Sequence, residues 1–254
     1  MSGKIEAYLL SKIKLDGAIH FSLLDPEEVS PHEASEISRE AEKAGTTAIM
    51  VGGSTVTDSK IVDVTVKAIK SSTKLPVILF PNDVAGLSRY ADAVWFMSLL
   101  NSSDPYFITG AQAAASKLIK QYTLEPLPLG YIITGSGEAA GLVGKAKPIP
   151  HEKPGLAVNY ALAAQYLGMR FVYLEAGSGA KEKVPSEMIN LVKNAIEIPL
   201  IVGGGIKTGG DAGQAVAAGA DAVVTGTIVE ETESVENKIS ELVQSIRKAA
   251  AKRK

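Results

Sequence analysis

The chain has 254 residues, 46% of them hydrophobic and 21% charged, an ordinary globular balance with enough length for one large core or two small ones. A formal net charge of −2 argues against a nucleic-acid-binding surface, and the absence of cysteine excludes disulfides, thiolate catalysis and Cys-ligated zinc. No apolar run approaches the ~18 residues that span a bilayer, so a cytoplasmic protein without a transmembrane segment is expected.

The chain opens with "MSGKIEAYLLSKIKLDG", which is too broken by charge for a signal-peptide core. It predicts a short amphipathic helix with Ile5, Leu9 and Ile13 on one face, either capping the base of the fold or lying on a membrane surface. Eight short apolar runs follow: 18–26, 47–54, 75–83, 93–101, 126–134, 169–179, 198–206 and 221–229. Most are apolar on both faces, as parallel strands covered by helices should be. Helical patterns lie between most of them. "SPHEASEISREAEKAG" (30–45), for example, starts at Ser-Pro and stops at Gly. The three histidines, His20, His32 and His151, are far apart and show no metal-binding spacing.

Eight strands alternating with helices in this length predict a (β/α)8 TIM barrel, read as one domain over 1–254. A doubly wound open sheet is the alternative, disfavoured because no GxGxxG follows the first strand. Two places break the alternation. Between strands three and four lies only "VAGLSRYAD", too short for an outer helix with its loops. A shortened or missing helix there would leave the barrel thin and open an apolar groove. The second place is 135–155, with five glycines and three prolines in 21 residues. It is either a lid over the substrate or a solvated insertion.

In a barrel the loops after the strands meet at one face, where active sites sit. Three neighbouring loops there are rich in glycine: Gly177-Ser178-Gly179 after strand six, Gly203-Gly204-Gly205 after strand seven, and Gly226-Thr227 after strand eight. Glycine lets backbone N–H groups approach an anion closely, so a phosphate site is expected. Lys207 either assists it or is an ordinary loop lysine. The stretch "YLEAGSG" places a carboxylate, Glu175, beside that site. A Schiff-base aldolase would need a lysine in a strand run, and none has one. An Asp–Asp isomerase would use Asp25 together with an aspartate ending a later strand, which "YIITGSGE" does not supply.

Taken together and in order, "HFSLLDP", "VGGS", "YLEAGSG", "VGGGI" and "VTGT" resemble the geranylgeranylglyceryl phosphate synthase family, archaeal ether-lipid prenyltransferases whose bacterial relatives make heptaprenylglyceryl phosphate. The resemblance covers essentially the whole chain. It departs at Ser22, where many members carry threonine.

The resemblance implies transfer of a geranylgeranyl group from its diphosphate to the 3-hydroxyl of sn-glycerol 1-phosphate. It assigns the glycerol phosphate to Tyr173, Leu174, Glu175, Ala176, Gly177, Ser178, Gly179, Gly204, Gly205, Gly226 and Thr227. Glu175 is then either the base or a group that orients the hydroxyl. Tyr173 either orients substrate or packs in the barrel. Mg²⁺ is the implied cofactor, on Asp25 and Ser54, with a helix cap before Pro26 as the other reading of Asp25. The prenyl chain would lie along "AVWFM", "YFITGAQAAAS" and "LPLGYII", with Ala113 and Ala114 leaving room. The family also implies a homo-oligomer, a hexamer or alternatively a dimer, and a transient membrane contact for product release. Two rivals remain at this point: another barrel enzyme on a small phosphorylated metabolite, and a noncatalytic phosphate- or lipid-binding barrel.

Overall fold

The computed structural model describes residues 3–226 and 234–253. Eight parallel strands close in sequence order into a barrel: β1 (Ile19–Leu24), β2 (Ala48–Val51), β3 (Val77–Leu79), β4 (Ala93–Leu99), β5 (Glu125–Ile133), β6 (Phe171–Glu175), β7 (Leu200–Gly203) and β8 (Ala222–Thr225). Seven fall inside the apolar runs, and β5 begins one residue before its run. The fold is the expected TIM barrel.

Because side chains alternate along a strand, each strand feeds two layers. Phe21, Met50, Trp95, Leu129, Phe171 and Tyr173 fill the barrel interior. Their neighbours, such as Ile49, Val94, Val172 and Leu174, meet the outer helices. This double burial is why the strands read as apolar on both faces.

The N-terminal helix α1 (Lys4–Asp16) closes the bottom of the barrel. Leu9 is fully buried among the interior residues, with Ile5 and Ile13 packed beside it. The helix is tied to the N-terminal ends of the strands. Glu125, at the start of β5, accepts hydrogen bonds from the N–H groups of Ile5 (2.7 Å) and Glu6 (2.8 Å), and so neutralises the positive end of α1. Glu6 is itself buried and pairs with Arg170, just before β6, at 2.5 Å.

The outer layer comprises α2 (Pro31–Ala44), α3 (Ser59–Ser72), α4 (Ala111–Tyr122), α6 (Pro154–Tyr166), α7 (Ser186–Ala195), α8 (Gly209–Ala218) and α9 (Val235–Ala251), with the one-turn-and-a-half α5 (Glu138–Val143) inside the 135–155 segment. The predicted start of α2 is a full capping box between Ser30 and Glu33, and Gly45 ends the helix at φ +96°.

Between β3 and β4 there is only a 3-10 turn, Val84–Gly86. Side-chain contacts hold this thin wall in place of helix packing. Ser88 donates to Asp63 of α3 (2.6 Å), Lys70 pairs with Asp92 (2.7 Å), and the Lys67 ammonium lies 4.1 Å from the Tyr90 ring. On the far side of the gap, α4 is preceded by a π-helical turn, Tyr106–Gly110.

Candidate functional site

The β6–β7 register sets Glu175 opposite Gly203, at the C-terminal rim of the barrel. Along β6, Tyr173 and Glu175 face inward. Glu175 is 6% exposed. Its Oε1 accepts the Gly177 N–H at 2.7 Å, and the hydroxyls of Tyr173 and Tyr131 also hydrogen-bond its carboxylate. Burial raises the Glu175 pKa above the usual carboxylate value, and these three hydrogen bonds oppose the rise. The result is a buried, oriented carboxylate that binds a proton more tightly than an exposed one.

The glycines around it are there for space. Gly204 has φ +83°, and a Cβ on it would come within 2.5 Å of Glu175 Oε1 and 2.6 Å of the Gly177 N–H nitrogen. The Tyr173 hydroxyl lies where a Cβ of Gly203 would be. The loops after β6 and β7 therefore pack backbone to backbone, with Gly177, Gly179, Gly204 and Gly205 all at positive φ. Ser178 and Gly226 line the same cavity as Glu175.

Across the cavity stand Asp25, after β1, and Gly52-Gly53-Ser54, after β2. The Asp25 carboxylate packs on Gly53 so tightly that a Cβ there would overlap it. Its Oδ1 accepts the Glu27 N–H at 3.0 Å, within a turn and not a helix, whereas α2 is capped by Ser30. Burial raises the Asp25 pKa, with Glu27 and Glu28 adding to the rise. The backbone carbonyl of Ser54 accepts from Asn82 Nδ2 at 2.9 Å.

Asp25, Gly52-Gly53-Ser54, Ser178 and Gly226 line a cavity of about 570 Å³ with Glu175, whereas Gly177, Gly179, Gly204 and Gly205 pack behind that lining. The cavity runs outward from Glu175 between β4 and the short β3–β4 connection, past Val84, Leu87, Phe96, Ala115 and Ile119. The missing helix thus leaves a groove, as the sequence leads one to expect. Among the described residues, the lining carries four carboxylates, Asp25, Glu28, Asp83 and Glu175, and no lysine, arginine or histidine. No cluster of three or more His, Asp or Glu side chains able to cage a metal occurs among the described residues.

Several expected residues are placed differently. The side chains of Leu174 and Ala176 point away from the cavity into the outer layer. Only their backbone is near the site, and the Ala176 N–H is already bonded to the Gly203 carbonyl at 3.1 Å. The Gly177 N–H is likewise occupied by Glu175. Ala113 and Ala114 are exposed, and it is Ala111 and Ala115 that face the groove. Lys207 is exposed and is not part of the cavity lining. Thr227 lies outside the described residues. Tyr173 is fully buried, under Gly203.

The sequence reading did not single out Phe80, which lines the cavity beside Glu175; Tyr131, within the expected wall "LPLGYII", lines it too, as the period-two pattern of β5 directs. Residues 135–155, expected as a lid or an insertion, reach over the site. Ala140 and Val143 of α5 line the cavity, and Glu138 packs on Gly177. Asn101 staples the segment, donating to the Lys147 carbonyl at 2.9 Å and the Ile133 carbonyl at 2.8 Å. None of the histidines enters the cavity. His20 is buried outside the barrel between the hydroxyls of Thr46 and Thr225, and burial lowers its pKa to about 3.

Fold and site together define a barrel that brings glycine-rich loops, a buried carboxylate and a groove with apolar walls to one cavity. Comparison with known proteins narrows the class. The PcrB family model matches residues 11–246. The geranylgeranylglyceryl phosphate synthase of Thermococcus kodakarensis is 54% identical over 248 residues, covering 96% of this chain and 98% of that protein. The enzyme of the same name from Thermofilum pendens is 51% identical over 253 residues, covering 100% and 99%. The crystal structure of (S)-3-O-geranylgeranylglyceryl phosphate synthase from Thermoplasma acidophilum, in complex with substrate sn-glycerol-1-phosphate, superposes with a TM-score of 0.93 at 42% identity, covering 98% of this chain and all of that one. The chain belongs to the PcrB family.

Proposed function

We propose that this protein transfers a geranylgeranyl group from its diphosphate to the 3-hydroxyl of sn-glycerol 1-phosphate, forming an ether and releasing diphosphate. The observation that carries the reading is the position of Glu175. It lines one cavity together with Ser178 and Gly226 of the glycine loops and with the apolar residues of the groove. The phosphate and the reacting hydroxyl of glycerol phosphate are only a few bonds apart, so one loop can hold the first and activate the second.

Ser178, Gly179, Gly204, Gly205 and Gly226, with Thr227 beyond the described residues, hold the phosphate. Glu175 orients the 3-hydroxyl and takes its proton as the new C–O bond forms, while Tyr131 and Tyr173 fix the carboxylate. The groove takes the prenyl chain. Burial of a twenty-carbon chain at ~0.8 kcal/mol per methylene makes a polar groove unnecessary.

Mg²⁺ is proposed as the cofactor. A diphosphate entering this cavity meets carboxylates and, among the described residues, no basic side chain, so its charge calls for a cation. Asp25 and the Ser54 hydroxyl are hard oxygen donors on adjacent loops, and Mg²⁺ favours one or two such ligands plus phosphate and water. When bound, the ion would neutralise the departing diphosphate.

The protein is further proposed to act in the cytoplasm as a homo-oligomer, a hexamer or alternatively a dimer, touching the membrane only to release product. No described helix is long and apolar enough to cross a membrane. Calorimetry with sn-glycerol 1-phosphate and an unreactive geranylgeranyl thiodiphosphate tests the shared cavity. Simultaneous binding is expected, and mutually exclusive binding would contradict it.

A further inference from the structure

Phe80 follows β3 by one residue, and its backbone is fixed by the neighbouring strand. Its N–H donates to the Val51 carbonyl at 2.8 Å, and its own carbonyl lies where a Cβ of Gly52 would be. The next residue along that loop, Gly53, carries the Asp25 carboxylate on its surface. On the other side, the Phe80 ring meets Tyr131 edge-on, with centroids 5.4 Å apart at 88°. It lies nearly parallel to Tyr173 at 5.7 Å and 22°. The hydroxyls of both tyrosines bond Glu175. Phe80 therefore stands half-buried on the cavity wall between the Asp25–Ser54 side and Glu175.

On the prenyl-transfer reading, on which this inference rests, those are the two ends of the bond exchange. The C1–O bond to diphosphate breaks, and its electron pair leaves with the diphosphate. The glycerol 3-hydroxyl oxygen forms the new bond to C1, and its proton passes to the Glu175 carboxylate. While both bonds are long, the allylic carbon carries positive charge. An aromatic face within about 6 Å attracts such a cation, and does so more strongly where water is excluded.

We infer that Phe80 is a catalytic residue: its ring, braced by Tyr131 and Tyr173, is the cation–π partner of the allylic carbon as diphosphate departs. The bracing tyrosines reinforce the effect, because a phenol that donates to a carboxylate gains electron density in its ring. The role differs from that of a groove wall. A wall residue contacts the prenyl chain equally in substrate and transition state, so its loss raises KM. A cation–π partner acts only as charge develops, so its loss lowers kcat.

The test replaces Phe80 with mono-, di- and trifluorophenylalanine in the full-length enzyme. These keep the ring's shape and drain its electron density. Turnover is measured with Mg²⁺, geranylgeranyl diphosphate and sn-glycerol 1-phosphate. The kcat should fall stepwise by about thirty-fold across the series, the size of a desolvated cation–π contact, with KM unchanged. Phe80→Leu should fall at least as far. A flat kcat, or a loss confined to KM, in an enzyme whose unmodified form is active would overturn the role of Phe80 alone. An unmodified enzyme that forms no ether from any prenyl diphosphate would overturn the transfer reading and this inference with it.

Discussion

Gly204 stands directly against Glu175: a Cβ at Gly204 would sit 2.5 Å from Glu175 Oε1, in a backbone conformation (φ +83°) that side chains rarely adopt. The close approach joins the glycine loop after β7, the proposed phosphate site, to the Glu175 carboxylate at the end of β6. Gly204→Ala should therefore displace both the carboxylate and the loop. We expect the affinity for sn-glycerol 1-phosphate, measured by calorimetry, to fall by at least about tenfold, the effect of roughly 1.4 kcal/mol. Unchanged affinity would mean that the loop does not bind the phosphate.

Glu175→Gln should separate binding from chemistry. Glycerol phosphate affinity should persist, while turnover falls by roughly 10²–10⁴-fold, the usual contribution of a positioned base. In the wild type, the acid limb of the kcat/KM profile should lie above the ordinary carboxylate range, because burial raises the Glu175 pKa. The same shift bears on stability. A carboxyl whose pKa is raised by folding favours the folded state most when protonated, and that contribution is lost as pH rises through the folded pKa. Above the folded pKa the ionised Glu175 is thus a cost. Glu175→Gln should raise the melting temperature on the alkaline side of that pKa, and the gain should shrink on acidification. Near-normal turnover in this variant would remove Glu175 as base.

Asp25→Ala should weaken prenyl diphosphate binding in the presence of Mg²⁺ and have little effect in EDTA. Ser54→Ala should do the same to a smaller extent, since a hydroxyl is the weaker ligand. Mg²⁺ titration followed by calorimetry reads this without turnover. Diphosphate affinity that is the same in wild type and Asp25→Ala at every Mg²⁺ concentration would count against the metal site.

Ala115 faces the groove from α4 and is nearly buried. Ala115→Trp should fill that space. The expected result is a rise in KM for geranylgeranyl diphosphate, with a smaller effect on a shorter prenyl diphosphate. Equal effects on both would place the prenyl chain elsewhere.

The barrel was legible because strands buried on both faces leave continuous apolar runs, and because "VAGLSRYAD" cannot hold a helix. The glycine loops were legible from position alone. Side-chain direction was less so. Leu174 and Ala176 belong to the right stretch but point outward, since alternate residues of a strand face opposite layers. Ala113 and Ala114 were expected on the groove, yet Ala111 and Ala115, four residues apart on one face of α4, line it instead. Phe80 and Tyr131 carry no local motif. They matter because β3, β5 and β6 bring three rings together from distant parts of the chain.

The most direct measurement of the central claim is turnover with Mg²⁺, geranylgeranyl diphosphate and each enantiomer of glycerol phosphate, with the ether product detected by mass spectrometry. Product from sn-glycerol 1-phosphate alone, abolished by EDTA, is the predicted result. The absence of product from this and longer prenyl diphosphates would contradict the account and leave a phosphate-binding barrel with a different chemistry.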